Sequence, residues 1–513
     1  MSARKLAGSA LAVGAITALT VLLGLARNVV TADAFGASRD MDAYLIAAII
    51  PNFLLYLFGI DILRGVATTL FSGSLAVGDE HERQRLFSSL LNTVLVVSGI
   101  ASLLTAVAMP WIVRAVAAGF SPADQRLTAY LAYIMLPTAV FIGVGSYLAA
   151  VLNAYRRFAL PATLRMGPHL AVIAAILLLA RSWGVFSIAA GMVVGSALGA
   201  LIQLVFCLRV GLRWRLALDI RHPLVKKAAL LALPVLLMTA MGQFGQLLQR
   251  FLGSYLSGGK ISALNYALML ASLAIRMGLE PLGTVLLPEL SAEAAREQTA
   301  KLAQWIRRGL VANLLLMLPV TVLMLVLATD LVRIVYQRGR FDAGDTQLTA
   351  AALRVYVAPL VLWGTWLLLV RVYIAVHDTA RAVKLSVVGY LILYGGSAVL
   401  VRPLDFLGLA VAQALQHGVF ALMLWFDLKR RVAGIVTPAL TKAATWGLAA
   451  SAGMLAAMLP LRGLRTTAGS DLLQAVTYAA VVAGAGLVAY GLVLAVPYRR
   501  EAIRLLGRLR GRQ

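Results

Sequence analysis

Long apolar runs recur along almost the whole chain, and they constrain the fold more than any other feature of the sequence. A helix needs about 20 apolar residues to cross the hydrocarbon core of a bilayer. Of the 513 residues, 61% are hydrophobic and 13% are charged. The sequence therefore predicts an all-α polytopic membrane protein. Fourteen spans are predicted, at residues 10–32, 42–66, 88–113, 129–151, 161–181, 185–208, 226–253, 261–288, 309–336, 350–376, 384–400, 406–428, 438–460 and 474–497.

The positions of the basic residues predict the orientation of these spans. Lys and Arg are concentrated at both chain ends and in the loops that follow even-numbered spans. By the positive-inside rule, both termini are therefore expected to be cytoplasmic. Arg4 and Lys5 precede an apolar run as in a signal peptide, but no soluble domain follows, so we expect an uncleaved first span.

The same loop positions account for the net charge of +25 without a nucleic-acid partner. The tail from Arg499 to Arg512 is strongly basic. Two interpretations of it remain open, an amphipathic helix at the membrane surface or a solvated tail that only fixes the topology.

A weak internal similarity predicts that the chain is a duplication. An offset of 223 residues pairs Arg27 with Arg250 and Asp42 with Asn265, and it brings the loop at 153–158 close to the loop at 375–381. Two lobes of six helices with the same orientation are a recurrent plan for transporters. The predicted domains are an N-lobe (1–220), a C-lobe (221–432) and two further helices with the basic tail (433–513).

Charged side chains inside the predicted spans are the candidates for a functional site. Each costs about 2.5–3.5 kcal/mol to insert into the membrane, so such residues usually face a bundle interior or a wet cavity. Arginine dominates, and its planar guanidinium suits phosphate oxygens, so we predict that the cavity binds an anion. The candidate cavity residues are Arg27, Asp42, Arg64, Arg250, Arg276, Arg354 and Arg371, with Asp61, Glu280 and Asn52 as gate or supporting residues.

Two of these arginines have an alternative interpretation as partners in ion pairs within a helix. Arg64 follows Asp61 by three residues, and Arg276 precedes Glu280 by four. Pairs at these spacings face each other on a helix surface. The sequence leaves both interpretations open for Arg64 and Arg276.

Residue patterns typical of enzymes do not occur in this sequence. The single cysteine, Cys207, excludes a disulfide framework, and the five histidines have no metal-ligand spacing. The stretch GSYLSGGKIS at 253–262 resembles a phosphate-binding loop, but Gly259 stands where that motif requires lysine. We therefore expect that the protein is not an enzyme and that it has neither a cofactor nor a metal site. We expect instead a transporter driven by the membrane potential or by a monovalent ion.

Five stretches together resemble the MurJ (MviN) lipid II flippase family of the MOP exporter superfamily. The resemblance implies two six-helix lobes, two extra helices that form a groove for a polyprenyl tail, and a bacterial inner-membrane location. It also implies transfer of an undecaprenyl-pyrophosphate-linked saccharide from the cytoplasmic to the periplasmic leaflet. We expect the protein to be a monomer. The stretches are GLARNVVTADAFGAS (24–38), MDAYLIAAIIPNFL (41–54), LNAYRRFALPA (152–162), LGTVLLPELS (282–291) and YQRGRFDAGDTQLTAAAL (336–353).

The resemblance also assigns roles to individual residues. The cavity arginine of the family's first helix falls on Arg27, and the aspartate at the start of its second helix falls on Asp42. Other charged positions of the family are replaced by uncharged residues, so the identity of the sugar stays open. These replacements are Val21, Leu55, Tyr56, Leu268 and Met269.

Three functions compete with transport of lipid II. A Wzx-like flippase for an exopolysaccharide or O-antigen unit would use the same machinery. A cation-coupled drug exporter of the same superfamily would need carboxylates in its cavity, whereas this chain places mostly arginine there. A membrane-embedded ligase or polymerase would need acidic or histidine clusters and long periplasmic loops, which the predicted topology does not provide.

Overall fold

Helices make up all the regular structure that the computed structural model describes, so the all-α prediction is confirmed. The chain divides into unit 1 (Met1–Ser262 with Arg338–Asp342) and unit 2 (Ala263–Gln337 with Ala343–Gln513). The described residues are 3–57, 65, 67–68, 71–73, 75, 80–216, 240–464 and 472–510.

The helices that begin in unit 1 are α1 (Ala3–Phe35), α2 (Arg39–Leu57), α3 (Glu80–Val116), α4 (Pro122–Met135), α5 (Pro137–Ala154), α6 (Ala159–Leu164), α7 (Gly167–Trp183), α8 (Phe186–Arg209), α9 (240–254) and α10 (Lys260–Ala295). Those of unit 2 are α11 (Thr299–Val326), α12 (Ala328–Tyr336), α13 (Ala343–Val357), α14 (Leu360–Ala375), α15 (Thr379–Leu404), α16 (Phe406–Arg431), α17 (Pro438–Leu461) and α18 (Leu472–Arg510).

The described helices include 11 candidate membrane spans, or 12 when the bent pair α13 and α14 counts as one. The other two predicted spans, 42–66 and 226–253, fall partly outside the described residues. Proline interrupts the helical hydrogen bonding in two predicted spans, although α4 and α5 together still form one span at Pro122–Ala154. Pro137 begins α5 directly after α4, and Pro359 separates α13 from α14 at an angle of 50°. Proline removes a backbone donor and restricts the preceding residue, so a helix often ends at such a position.

One predicted span, 309–336, is placed wrongly. The structure has a span at Thr299–Val326, followed by the separate short helix α12. The first turns of α11 alternate between buried residues such as Leu302 and Ile306 and exposed residues such as Lys301. Charged residues on the exposed face lower the mean hydropathy, so a search for apolar runs misses this part of the helix.

Two pairs of matching turns support the predicted duplication. Arg156 and His377 have φ values of 60° and 58°, and Gly184 and Asp405 have φ values of 53° and 54°. The two residues of each pair are 221 positions apart. The helix starts agree to within one residue, since α13 begins 221 positions after α4 and α16 begins 220 positions after α8. The offset that matches the helices is therefore 221, two fewer than the 223 that pairs Arg27 with Arg250. The predicted domain boundaries remain predictions.

Small residues allow α7 and α8 to pack closely. A Cβ atom on Gly195 would lie 2.5 Å from Cα of Pro168, and one on Gly191 would lie 2.6 Å from Cα of Val172. Small residues four positions apart are a common device for close approach of helices in membranes. The hairpin that they form supports α1, because α7 packs against that helix.

An extended segment at 211–215 follows α8 and is bound along α3 by polar side chains. Gln84 bonds the segment through Gly211 O and Arg213 N, at 2.8 and 2.6 Å. The next side chains on the same face of α3 continue the pattern: Ser88 contacts Arg213 O and Arg215 N, and Asn92 contacts Arg215 O and the Trp214 indole. Spacing of four residues puts these donors and acceptors in one row.

Candidate functional site

The buried carboxylate of Asp42 binds the first turn of α10. Asp42 has no exposed surface. Its Oδ2 accepts a bond of 2.7 Å from Gly259 N, and its Oδ1 accepts bonds of 2.7 and 2.6 Å from Ser262 N and Ser262 Oγ. The first N–H groups of a helix have no partner within the helix, and a carboxylate also complements the positive end of the helix dipole. Asp42 is therefore the N-terminal cap of α10.

Gly259 makes this cap sterically feasible. Its φ is +86°, and a Cβ atom at this position would lie 2.0 Å from the carbonyl oxygen of Ala37. Only glycine combines this backbone conformation with such a close approach. The stretch that resembles a phosphate-binding loop is thus a tight turn around a carboxylate.

Arg39, which the sequence did not single out, holds the same turn from another side. Its Nη2 donates to Leu256 O at 3.1 Å, and its guanidinium lies 4.7 Å from the ring centre of Phe120. Its Nε also lies 3.8 Å from Asp124 Oδ2. Arg39 therefore connects the turn at Leu256 with Phe120, which follows α3, and with Asp124 in the first turn of α4.

Arg338–Asp342 also belongs to unit 1 and approaches the end of α1. Arg340 N donates to Asp33 O at 2.8 Å. A Cβ atom on Gly339 would lie 2.4 Å from Asp33 O, so this contact too depends on glycine. We use the name turn cluster for residues 33–42, 117–124, 254–262 and 338–342, which these contacts connect within unit 1.

Arg27 lies two turns before the end of α1 and is half-buried. Its Nη2 donates to the neighbouring Asn28 Oδ1 at 3.0 Å, and none of the described carboxylates forms an ion pair with it. Its charge acts on the Tyr44 phenol and the His169 imidazole. A guanidinium in this position retains N–H donors for an anionic ligand.

His169 on α7 is a residue of this site that the sequence did not reveal. The imidazole approaches α1 at Gly24, where a Cβ atom would lie 3.7 Å from His169 Cε1. Its Nδ1 is buried and has no hydrogen-bond partner. Gly24 precedes Arg27 by about one helical turn, so both residues lie on the same face of α1. A lone histidine in an apolar run gives no signal by spacing alone.

The remaining candidates of unit 1 fall into two groups. Asn52 is exposed on α2, and Arg250 is half-buried near the end of α9. Asp61 and Arg64 lie outside the described residues, and so does the ion pair proposed for them. The roles of all four residues remain predictions.

In unit 2, Arg371 on α14 lies against α10. Its Nη1 donates to Leu279 O at 3.4 Å. A Cβ atom on Gly283 would lie 0.9 Å from this Nη1, so the guanidinium occupies the space that the missing side chain leaves. Glu280 and Arg371 both line a small cavity of about 10 Å³ here, which is about the space of one water molecule.

Of the two interpretations left open for Arg276, the ion pair with Glu280 is not formed among the described residues. Both are exposed on α10, and neither is among the residues joined by ion pairs. Ion pairs between exposed side chains stabilise a helix only weakly, because water screens the two charges and both side chains lose conformational freedom. Arg354 is exposed on α13 and donates to Thr329 Oγ1 at 2.9 Å.

The contact between Gly283 and Arg371 gives a prediction. Gly283→Ala should displace the guanidinium and lower the anion transport expected from the sequence to the level of Arg371→Ala. The melting temperature should change little, because the displaced group is the end of a flexible side chain and alanine favours a helix by about 1 kcal/mol. Transport by the double variant, measured in proteoliposomes, should equal that of either single variant.

Gly395→Ala is the matched control, because a Cβ atom there meets nothing within 4 Å. This variant should transport like the unmodified protein. Independent, additive losses from Gly283→Ala and Arg371→Ala would contradict the proposed displacement.

Comparisons with known proteins agree on one family. A family model described as "Lipid II flippase MurJ" matches residues 31–483. A lipid II flippase MurJ from Burkholderia cenocepacia is 29% identical over 447 residues, which cover 83% of this chain and 84% of that protein.

Solved structures show the same fold. A lipid II flippase MurJ in an inward closed conformation aligns with a TM-score of 0.81 and 21% identity, over 96% of this chain and 99% of its own. An inward-facing multidrug resistance MATE transporter of the MOP superfamily aligns with a TM-score of 0.70 and 14% identity, over 84% of this chain and 99% of its own. The fold of the described helices is thus one that transporters of this superfamily share.

Proposed function

The chain belongs to the lipid II flippase MurJ family, and we propose that it moves lipid II from the cytoplasmic to the periplasmic leaflet by alternating access. It is a polytopic transporter of the inner membrane, not an enzyme. Lipid II carries its saccharide on undecaprenyl pyrophosphate, so the cargo presents phosphate oxygens to the protein. We further propose that both termini are cytoplasmic and that the protein works as a monomer.

The observation that carries this proposal is the environment of Arg27. The guanidinium sits in a membrane span, its only described partner is the neutral Asn28, and a histidine lies nearby. Placing an uncompensated charge in a span is costly unless a ligand or a wet cavity receives it. A pyrophosphate would provide that compensation, and guanidinium forms strong bidentate bonds with phosphate.

The turn cluster supplies an element that transport would have to rearrange. Alternating access requires a barrier on one side of the substrate site that closes and opens. In the proposed cycle, the three bonds from Gly259 and Ser262 to Asp42 would break and form again as the turn opens and closes. We propose that the turn cluster is this gate and that it lies on the periplasmic side.

The substrate is best tested with purified protein in proteoliposomes. Flipping of lipid II would be compared with flipping of undecaprenyl-pyrophosphate carriers that bear an O-antigen or exopolysaccharide unit. We expect lipid II to be the faster cargo. The other cargoes are an alternative because charged positions of the family are replaced here by the uncharged residues Val21, Leu55 and Tyr56. Faster flipping of the O-antigen or exopolysaccharide carriers would show that one of them is the substrate.

We also predict that flipping depends on the membrane potential. An anionic cargo gains about 2.3 kcal/mol per charge per 100 mV when it moves outward from a negative interior. A cationic, empty cavity would be pulled in the opposite direction, which would favour its return. Collapsing a potassium diffusion potential with an ionophore should therefore slow flipping at fixed lipid II concentration. An unchanged rate would rule out this source of energy.

A further inference from the structure

A cavity of about 170 Å³ in unit 2 lies away from Arg371 and the other candidate residues of that unit. It forms where the turn between α10 and α11 meets the turn between α14 and α15. Both turns join helices that cross the membrane, so the cavity is expected at the level of the lipid headgroups. Its lining includes Glu293, Ala294, Glu297, Gln298, Thr299 and His377.

Glu293 is the unusual residue of this cavity. It is only 6% exposed. Its Oε1 lies 3.4 Å from Nη1 of Arg296, whose side chain is 63% exposed, whereas its Oε2 is buried without any hydrogen-bond partner. A buried carboxylate oxygen without a partner is costly, because the group has lost its water and gained nothing in return. A ligand with N–H donors would remove that cost.

Three helix termini meet at the cavity. The helices α10 and α14 both end here, at Ala295 and Ala375. Each is followed by a residue in the left-handed conformation, Glu297 at 56° and His377 at 58°. The carbonyl ends of helices carry partial negative charge and their first turns carry partial positive charge. Because α11 begins at the same cavity with Gln298 and Thr299, its first turn offsets part of the effect of the two helix ends. The Glu293 carboxylate is therefore the buried negative charge that acts on the cavity.

We propose that this cavity binds the primary ammonium of an ethanolamine phospholipid headgroup. The ammonium would donate to Glu293 Oε2, and the exposed guanidinium of Arg296 would pair with the lipid phosphate. The two protein charges thus match the two charges of a zwitterionic headgroup. A choline headgroup has no N–H donor and would leave Oε2 without a partner. The proposal rests on this cavity alone and goes beyond the transport of lipid II.

The test uses the full-length protein in detergent, with bound lipid measured by native mass spectrometry and stability by thermal melting. Phosphatidylethanolamine should be retained in preference to phosphatidylcholine with the same acyl chains, and it should raise the melting temperature more. Glu293→Gln should abolish both differences. Glu289→Gln, which removes an exposed carboxylate from the same helix outside the cavity, should preserve them.

A second variant, Ala294→Leu, and a soluble ligand, free ethanolamine, complete the test. Ala294→Leu would fill the cavity without changing its charge, and it should also abolish the preference, which covers the case that Glu293→Gln does not fold. Free ethanolamine should stabilise the protein less than the lipid does. Equal stabilisation by free ethanolamine, lost in Glu293→Gln, would assign the cavity to a small soluble ammonium and overturn the lipid. A preference for phosphatidylethanolamine that survives in Glu293→Gln and Ala294→Leu would overturn the site itself.

Discussion

Replacing Arg27 with alanine is expected to slow lipid II flipping in proteoliposomes by roughly tenfold to a hundredfold. Hydrogen bonds to charged groups contribute about 1.5–3 kcal/mol, and each 1.4 kcal/mol corresponds to about tenfold. The fold should survive, because no described carboxylate pairs with Arg27 and none would be left unpaired. The melting temperature should therefore stay close to that of the unmodified protein.

Two variants sharpen this experiment. Arg27→Lys keeps the charge but not the planar pair of donors, so it should recover only part of the activity. Arg181→Ala removes an exposed arginine from the end of α7 and should leave flipping unchanged. Flipping at the original rate by Arg27→Ala, in protein that is inserted and folded, would remove the main support for the proposed site.

Asp42→Ala is expected to have the largest combined effect on stability and transport. The substitution would leave three donors on Gly259 and Ser262 without their acceptor in a buried place. Each buried donor without a partner costs about 1–3 kcal/mol. We expect a clearly lower melting temperature and no measurable flipping. Asp42→Asn keeps one acceptor oxygen for Ser262 but turns donors towards Gly259 N, so it should be intermediate.

Asp40→Ala is the control for Asp42→Ala. Asp40 lies in the same first turn of α2 and carries the same charge, but it is exposed. Asp40→Ala should therefore change neither the melting temperature nor the rate of flipping much. If Asp40→Ala and Asp42→Ala lowered the melting temperature equally, the effect would come from the charge near the helix end and not from the cap of α10.

The sequence predicts the class of fold, and it selects Arg27 and Asp42 as candidates, because charge in an apolar run is a strong local signal. It does not identify the partners of Asp42. Gly259 and Ser262 are 217 and 220 positions away in the chain, so their contact depends on packing that no local pattern encodes. The stretch around Gly259 drew attention only as an incomplete phosphate-binding motif, although its glycines serve a tight turn.

Other differences have equally physical reasons. His169 was missed because its proximity to Arg27 depends on how α7 packs against α1 at Gly24. The predicted span at 309–336 begins too late because the first turns of the observed helix, Thr299–Val326, are amphipathic and therefore have a low mean hydropathy. Glu293 was passed over because a carboxylate at the end of a span is ordinary in sequence, and only the structure distinguishes a buried oxygen from a solvated one.

The cap of α10 shows that the two copies of the duplicated sequence are no longer interchangeable. α2 has its own cap, since Ser38 Oγ accepts from Met41 N at 3.3 Å. At the matching position 221 residues later stands Gly259, which has no side chain, and Asp42 of the first copy supplies the acceptor. The second copy thus relies on a side chain of the first copy for its cap. A fragment that ends before residue 259 would keep the Asp42 carboxylate without these three donors, so we expect it to be less stable than the same residues in the whole chain.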